Sequence, residues 1–385
     1  MNAAAPTIES KLPEVKTTIF TVMSQLAAKH GAINLSQGFP DFSPPEALIE
    51  RVQHHLNAGA NQYAPMTGVP LLRERIAEKM TRCYGAAVDV DAEITVTSGA
   101  TEALFVAVQA VISTGDEVIL LDPAYDSYAP AVHLAGGRAV HVALAQPDYG
   151  IDWQRLGDAI TPRTRLIVVN SPHNPSGAVL ATDDLDRLAA LVRDTDILLL
   201  SDEVYEHMVF DGQPHPSFLT HPELRARSFV VSSFGKTYHN TGWKVGYAIA
   251  PPALSAEFRK VHQYVTFSTS TPFQCAIADF MADPTHDREL PDFYEAKRDR
   301  FRAGVEDSRF ELRPCAGTYF QLLGYQQISD RPDTEMAEWL TREVGVAAIP
   351  ISVFYRDRTD AKVLRFCFAK DGETLDRATA LLRQL

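Results

Sequence analysis

The segment SSFGKTYHNTGWKVGY (residues 232–247) contains two lysines, Lys236 and Lys244, directly after an apolar run. A Gly-Lys-Thr triplet in this position could be the end of a phosphate loop that binds nucleotides. That loop needs a second glycine five positions before Gly235, but the sequence has Val230 there. A nucleotide-binding loop is therefore excluded, and Lys236 needs another chemical role.

Lys236 directly follows a predicted strand, where a cleft would remove water from its amine. Loss of solvation lowers the pKa of an amine toward that of a useful nucleophile. Asp202 ends another wholly apolar run, where an unpaired charge would be costly. This predicts either a cationic partner for Asp202 or a helix-capping role. Tyr205 lies three residues on, within reach of the same place.

Other loops after apolar runs carry groups that could hold a ligand. Residues 97–102, TSGATE, place small residues at a helix start, where free N–H groups can bind an anion and Thr101 adds a hydroxyl. A plain helix start is the alternative. Tyr125 could stack on a flat ring or simply pack in the core. Asn174, held between His173 and Pro175, could offer a rigid amide or simply form a turn.

Together these groups fit one cofactor. An anion cup, a stacking ring, an amide, a phenol, a carboxylate and a lysine match pyridoxal 5′-phosphate (PLP). A lysine that bonds the aldehyde and an acidic partner for the ring nitrogen are typical of PLP sites. The combination is much more specific than any single residue.

The elements that position these groups follow from hydrophobic patterning. Apolar runs, several without alternation, predict strands of a sheet covered on both faces: Ile94–Thr97, Val118–Leu121, Ala139–Ala143, Leu166–Asn170, Ile197–Ser201, Phe229–Ser232 and Val245–Ala250. Helical patterns separate several of them, at Glu102–Ile112 and Asp184–Arg193. The pattern predicts an α/β fold whose carboxyl-end loops bind the ligand.

After about residue 275 the pattern changes to a polar helix over Asp292–Asp307, short strands near Gly317–Leu323 and Val363–Ala369, and a last helix over Glu373–Leu385. This predicts a smaller α+β domain. We expect an N-terminal arm that is partly in the small domain (residues 1–45), a large cofactor-binding domain (46–275) and a small C-terminal domain (276–385).

Composition narrows the class of protein. The chain of 385 residues has a net charge of −13, which disfavours nucleic acid and acidic membranes as partners. The four cysteines are widely spread and read as reduced thiols, and the histidines show no metal-ligand spacing. No stretch approaches the roughly 18 apolar residues of a membrane helix, and the N-terminus has no leader pattern. A cytoplasmic enzyme without a metal is expected.

The sequence resembles the class I and II aminotransferases of the fold-type I PLP superfamily from about residue 17 onward. The motifs that carry the resemblance are NLSQGFPDF (34–42), NQYAPMTGVPLLRE (61–74), TSGATEAL (97–104), DPAYDSYAP (122–130), NSPHNPSG (170–177), SDEVYEHM (201–208), SSFGKTYHNTGWKVGY (232–247) and RFCFAK (365–370). The fold type implies a large domain with a mostly parallel seven-stranded sheet flanked by helices. Within the superfamily the chain is most similar to bacterial methionine aminotransferases, near the kynurenine/glutamine aminotransferases.

The resemblance also implies roles for individual residues. Lys236 would form the Schiff base with PLP, Asp202 would pair with the ring nitrogen, and Tyr205 would hold the ring hydroxyl together with Asn174. Tyr125 would stack on the ring. The phosphate would be bound by Ala100, Thr101, Ser233, Lys244 and, from the neighbouring subunit of a homodimer, Tyr63. The substrate carboxylate would be bound by Arg365, Asn174 and the backbone of Gly38.

Two further features concern specificity. Aspartate aminotransferases carry arginine at the position of Lys244, whereas the kynurenine-type branch resembles this chain there. Lysine offers phosphate a point charge but no bidentate contact. Phe20 aligns with an aromatic residue that lines the side-chain pocket in that branch, and Phe39 could line it too. Both could equally be core residues.

The expected activity is transfer of an amino group from an uncharged amino acid, such as methionine or an aromatic one, to a 2-oxo acid in ping-pong half-reactions. Kynurenine–oxoglutarate transamination, cysteine-conjugate β-lysis and aspartate-type transamination are alternatives. The last would need a second arginine for the side-chain carboxylate, and none can be assigned. A non-catalytic regulatory domain of this fold is a further alternative, but the chain has no basic DNA-binding segment.

Overall fold

The computed structural model describes residues 8–385, so the first seven residues of the predicted arm lie outside the described part. The strands of the described part are β1 (Ile33–Asn34), β2 (Ile94–Thr97), β3 (Glu117–Asp122), β4 (Arg138–Ala143), β5 (Thr164–Asn170), β6 (Leu198–Asp202), β7 (Ser228–Ser233), β8 (Gly246–Ile249), β9 (Glu311–Leu312), β10 (Phe320–Gly324), β11 (Val346–Ala347), β12 (Ile349–Pro350) and β13 (Val363–Cys367).

The α-helices of residues 8–385 are α1 (Ile19–His30), α2 (Glu46–Asn57), α3 (Pro70–Tyr84), α4 (Gly99–Val111), α5 (Tyr128–Leu134), α6 (Trp153–Asp158), α7 (Thr182–Val192), α8 (Pro222–Arg225), α9 (Phe234–Thr237), α10 (Pro252–Val265), α11 (Thr271–Phe280), α12 (Thr285–Val305), α13 (Asp333–Trp339) and α14 (Gly372–Leu382). None of these described helices combines the length and apolar character that crossing a bilayer requires.

The larger sheet has seven strands in the order β2-β8-β7-β6-β5-β3-β4. Only β8 runs antiparallel to its neighbours, β2 and β7, so the sheet is mostly parallel, as predicted. Alternate residues of β3 enter different cores: Val118 and Leu120 pack with α4 and α10, whereas Ile119 packs on the opposite face. Burial on both faces explains why these strands read as uninterrupted apolar runs.

The smaller sheet has the order β12-β13-β10-β9 and is antiparallel. The long α12 packs against α14 beside it. Residues near the N-terminus join this part of the chain, because β1 pairs in parallel with β11. The predicted α+β character of this region is confirmed, while the domain limits at residues 45 and 275 stay a proposal.

Some predicted limits differ from the structure. The helix expected from Asp292 begins at Thr285, and it continues through Pro291. The first turns of this helix are mostly polar, so hydrophobic periodicity does not indicate where it begins. The strand expected from Gly317 begins at Phe320, because Thr318 adopts a positive φ of 65° that interrupts extended backbone.

Candidate active site

A cleft of about 210 Å³ lies at the carboxyl ends of the central strands. It is lined by Gly99, Ala100, Thr101, Leu104, Tyr125, Asn170, Asn174, Asp202, Val204, Tyr205, Ser233, Lys236, Thr241 and Lys244. Parallel strands end at one edge of the sheet, so loops far apart in sequence meet there. The structure thus brings together the residues predicted to bind PLP, with the exception of Tyr63.

Asp202 is the last residue of β6 and is buried. Its Oδ2 accepts a 2.6 Å hydrogen bond from the Tyr128 hydroxyl, and the Val204 N–H approaches Oδ1 at 3.4 Å. Burial raises the pKa of Asp202 to about 6, although the Tyr128 hydroxyl opposes the rise. The direct partner is a phenol rather than the expected cation, which leaves an acidic group available to a ligand.

Lys236 lies in α9, the short helical turn after β7. Its Nζ donates to the Tyr319 hydroxyl oxygen at 2.7 Å and to the Gly38 carbonyl at 3.2 Å. Burial lowers the pKa of Lys236 to about 8, with Arg365 and Lys244 adding to the effect. A substantial fraction of the amine is therefore neutral near physiological pH, as a nucleophile or base requires.

The residues predicted to bind phosphate form a concave, positively charged region at the start of α4, which we call the phosphate cup. Gly99 has φ +75°, and a Cβ added there would approach Lys244 Nζ at 3.3 Å. Lys244 itself has φ 55°. The backbone at Gly246 passes close to the start of α4. A Cβ on Gly246 would meet the Ala100 nitrogen at 2.9 Å, so only glycine allows this approach. The Ser233 side chain, at the end of β7, also lines the cup. Helix N–H groups, hydroxyls and a lysine suit a phosphate.

Asn174 and the two predicted tyrosines line the sides of the cleft. The Asn174 backbone N–H donates to Asn170 Oδ1 at 2.8 Å, which fixes the loop. The Tyr125 ring meets Tyr128 edge-on with centroids 5.6 Å apart, and burial raises its pKa to about 12. Tyr205 is buried, and desolvation raises its pKa above the ordinary range. Both phenols therefore stay protonated and can donate hydrogen bonds.

Arg365 is buried in β13, beside the cleft. Its Nη1 donates to Asn174 Oδ1 at 2.7 Å and its Nη2 to the Ser36 carbonyl at 3.2 Å. Within residues 8–385, its Nε has no hydrogen-bond partner. Its guanidinium carbon lies 3.9 Å from the centroid of the Phe320 ring. A buried guanidinium with an unused donor is suited to a carboxylate.

The remaining predicted residues occupy three different environments. The Phe20 ring lies 5.2 Å from the Arg365 guanidinium carbon. Phe39 is partly exposed and covers the Lys370 ammonium at 5.3 Å. Tyr63 is 86% exposed and contacts Phe267 edge-on, so within one chain it does not reach the cleft.

Two contacts were missed by sequence reasoning. Tyr128 could have been noticed, because it lies three residues after Tyr125, near the start of a helix. Tyr319 had no local signal, since its approach to Lys236 depends on the placement of β10 against the large sheet.

The groups present fit PLP. The cup of Gly99, Ala100 and Lys244 suits a dianionic phosphate, Asp202 suits a basic ring nitrogen, and the partly neutral Lys236 suits an aldehyde. The unused Arg365 Nε adds a place for a substrate carboxylate.

The sheet topology and this distribution of groups define a PLP-dependent enzyme of fold type I, a class that includes the aspartate aminotransferase of Thermus thermophilus. The model of the family "Aminotransferase class I and II" matches residues 30–382, and the chain belongs to this family. It is a PLP-dependent transaminase.

Individual relatives support this assignment. Methionine aminotransferase from Escherichia coli (strain K12) is 55% identical, over 98% of each chain. The crystal structure of YbdL from Escherichia coli, for which a methionine aminotransferase function was identified, has a TM-score of 0.97 and covers 99% of this chain and 100% of its own. A probable N-succinyldiaminopimelate aminotransferase from Mycobacterium tuberculosis (H37Rv) is 38% identical over 98% of each chain. Human kynurenine–oxoglutarate transaminase 1 is 32% identical over 94% of each chain.

Proposed function

We propose that this transaminase takes the amino group of an uncharged amino acid, methionine or an aromatic one, and transfers it to a 2-oxo acid. The proposal rests on one observation: Arg365, which offers an unused donor to a carboxylate, is enclosed by aromatic rings. Phe20, Phe320 and Phe354 lie 5.2, 3.9 and 5.5 Å from its guanidinium carbon. These rings favour an apolar side chain on the substrate whose carboxylate Arg365 binds.

The cleft offers fewer suitable partners to a substrate with a charged side chain. Among the described residues that line the cleft, the cations are Lys236 and Lys244. We assign the first to chemistry and the second to phosphate, so neither is free for a second carboxylate. This argues against an aspartate-type specificity. The E. coli relative named for methionine supports the same choice.

The protein's own groups have the following proposed tasks. Ala100, Thr101, Ser233 and Lys244 hold the phosphate, and Tyr125 stacks on the ring. Asp202 binds the ring nitrogen, and Tyr205 with Asn174 binds the ring hydroxyl. Arg365, Asn174 and the Gly38 backbone hold the substrate carboxylate.

When bound, PLP supplies a conjugated ring that accepts the electrons of the broken Cα–H bond. Lys236 Nζ takes up the proton of the substrate Cα as a general base and later gives a proton back as a general acid. Its pKa of about 8 suits both tasks near neutral pH. Burial raises the pKa of Tyr205 and of Tyr125, which keeps both phenols protonated near neutral pH and suits a role in orienting the cofactor.

We further propose a homodimer with shared sites. Tyr63 and Tyr264 are 86% and 87% exposed, and Phe267 beside Tyr63 is also exposed. Exposed aromatic rings that contact each other, as Tyr63 and Phe267 do, mark interaction surfaces. A second copy placed there would cover them and bring Tyr63 to the neighbouring phosphate cup.

A cytoplasmic location is also proposed. The four cysteines are free thiols, and Cys83 is exposed. An exposed free thiol is typical of a reducing compartment.

The substrate proposal is tested by half-reaction spectroscopy. The purified enzyme with PLP is mixed with single amino acids, and the loss of the cofactor's visible absorbance is followed. Methionine and phenylalanine should react at least about tenfold faster, as kcat/KM, than aspartate or glutamate. Faster reaction with the acidic amino acids would overturn the proposal. Pyruvate and ammonia released from a cysteine conjugate without an acceptor acid would reveal β-lyase activity at the same site.

A further inference from the structure

The amine of Lys236 contacts two groups outside the large sheet. One is the Tyr319 hydroxyl oxygen, 2.7 Å away, and the other is the Gly38 carbonyl, 3.2 Å away. The Tyr319 hydroxyl also hydrogen-bonds to the Gly38 carbonyl. These three groups therefore form a closed triangle of polar contacts.

The direction of each hydrogen bond in the triangle is determined by proton count. A carbonyl can only accept, so the single phenolic proton of Tyr319 goes to Gly38. The Lys236 amine must then donate to the phenol oxygen as well as to the carbonyl. A neutral amine has two N–H groups and one lone pair. Both N–H groups are engaged by this triangle, so the lone pair has a defined direction, away from Tyr319 and Gly38.

The Tyr319 ring is held rigidly. It is fully buried and meets Tyr205 edge-on, with centroids 5.2 Å apart. The rings of Phe320 and Tyr294 lie 4.9 and 5.7 Å away. Its carbonyl accepts the Phe368 N–H at 2.9 Å. A hydroxyl on such a ring has little freedom to follow a moving partner, so it sets the position of the amine.

We propose that Tyr319 is a positioning residue for Lys236, whose hydroxyl, together with the Gly38 carbonyl, aims the lone pair of the free amine at the substrate Cα. This rests on the proposed role of Lys236 as the base. The contact is made when the amine is not bonded to the cofactor, which is the stage at which the amine must accept a proton. Tyr319 does not itself carry a proton in the reaction.

The electrostatic surroundings of Lys236 indicate in which direction its pKa should change when the Tyr319 hydroxyl is removed. Burial is the main factor that lowers the pKa of Lys236, Arg365 and Lys244 lower it further, and Cys367 and Asp202 oppose them. Tyr205 contributes its ring face, 5.4 Å from Nζ. A phenol oxygen that accepts a hydrogen bond stabilises the ammonium form more than the neutral amine. Its removal should therefore lower the pKa of Lys236 further.

The test is Tyr319→Phe, with Tyr294→Phe as a matched control. Tyr294 is equally buried and adjacent, but its hydroxyl hydrogen-bonds to His239 Nδ1 at 3.0 Å rather than to Lys236. In the protein stripped of PLP, the pH dependence of Lys236 modification by an amine reagent, read by mass spectrometry, gives the amine pKa. In the PLP-loaded enzyme, kcat and KM are measured for the best amino acid of the panel.

For Tyr319→Phe we expect the pKa of Lys236 to fall by about one unit and kcat to fall about tenfold, with KM within about twofold. Tyr294→Phe should change neither quantity. An unchanged pKa, an unchanged kcat or equal effects in both variants would overturn the positioning role. Full activity of Lys236→Ala would instead refute the proposed base, and the amine pKa measured without PLP distinguishes these failures.

Discussion

Asp202 and Lys236 are two groups of opposite charge in the cleft whose pKa values are shifted by the same cause, burial. Burial raises the pKa of Asp202 to about 6 and lowers that of Lys236 to about 8. Each group is thus easier to neutralise than in water. Burying these two charged groups lowers the stability of the protein without PLP. In the proposed arrangement, PLP would offset this loss by supplying a ring nitrogen to Asp202 and an aldehyde to Lys236.

Tyr128→Phe tests the balance at Asp202. The Tyr128 hydroxyl lowers the pKa of Asp202, so its loss should raise that pKa above about 6. The ordinary pKa of an aspartate is lower, so the folded state binds the extra proton between the two values and the unfolding free energy falls as pH rises through that window. In the variant, the unfolding free energy continues to fall up to a higher pH, because the pKa of Asp202 is higher. We expect an extra loss of about 1 kcal/mol at pH 8 relative to pH 5.

The measurement is thermal unfolding of the protein without PLP at both pH values. Tyr125→Phe serves as the control, because its hydroxyl does not bond to Asp202. If Tyr128→Phe and its parent lose the same stability between pH 5 and pH 8, the assigned hydrogen bond is wrong.

At the scale of elements, a buried polar network ties α3 to the large sheet. Lys79 of α3 donates to Glu206 at 2.6 Å and to the Tyr247 hydroxyl at 3.0 Å. Tyr84 donates to the other Glu206 oxygen at 2.5 Å. Burial is the largest single influence on Glu206 and opposes its ionisation, but the Lys79 cation, His207 and the hydrogen bonds from Lys79 and Ser232 together lower the pKa of Glu206. Glu206, the centre of this network, directly follows Tyr205 in the chain, so the network also supports the wall of the cleft.

Lys79→Met should therefore lower stability by about 3–5 kcal/mol, because a buried carboxylate loses its cation. Thermal and urea unfolding of the PLP-loaded enzyme measure the loss. The double variant Lys79→Met with Glu206→Gln should recover part of it, since no unpaired charge remains. A single variant as stable as its parent would show that water or another group replaces the lysine.

Elements of this kind also show what sequence reasoning can reach. The central strands of the large sheet were predictable because burial on both faces makes them continuous apolar runs, whereas the edge strand β4 is only partly buried. The loops that hold Asp202 and Asn174 followed from their place after those runs. Lys79 was not predictable, because its helix reads as an ordinary polar helix and only the packing of α3 buries it. Tyr319 stayed hidden for a similar reason, since nothing local indicates that β10 meets Lys236.

At the scale of the whole molecule, the exposed Tyr63 makes a prediction about subunits. In the proposed homodimer, Lys236→Ala would remove the proposed base from both sites, and Tyr63→Ala would remove the neighbour's tyrosine from both. Random pairing of the two chains makes about half of the dimers mixed, and each mixed dimer has one intact site. The purified mixed dimer should therefore have about half of the activity of the unsubstituted enzyme, and the unfractionated mixture about a quarter, if Tyr63→Ala alone is much weaker than that.

The mixture is prepared by co-expression with two affinity tags, and the doubly tagged dimer is assayed after purification. Lys236→Ala paired with itself gives the background. Recovery no greater than the mean of the two parent variants would mean that each chain builds its site alone.

The pairing of β1 with β11 has a consequence for how the chain is made. Ile33 lies beside Val346, so two segments separated by most of the polypeptide share one ladder. All strands of the large sheet have been synthesised by residue 249. A domain can fold as soon as it leaves the ribosome, whereas β1 has no strand partner until Val346 and Ala347 of β11 have been translated. Although β1 is made before all the strands of the large sheet, it is thus completed after them.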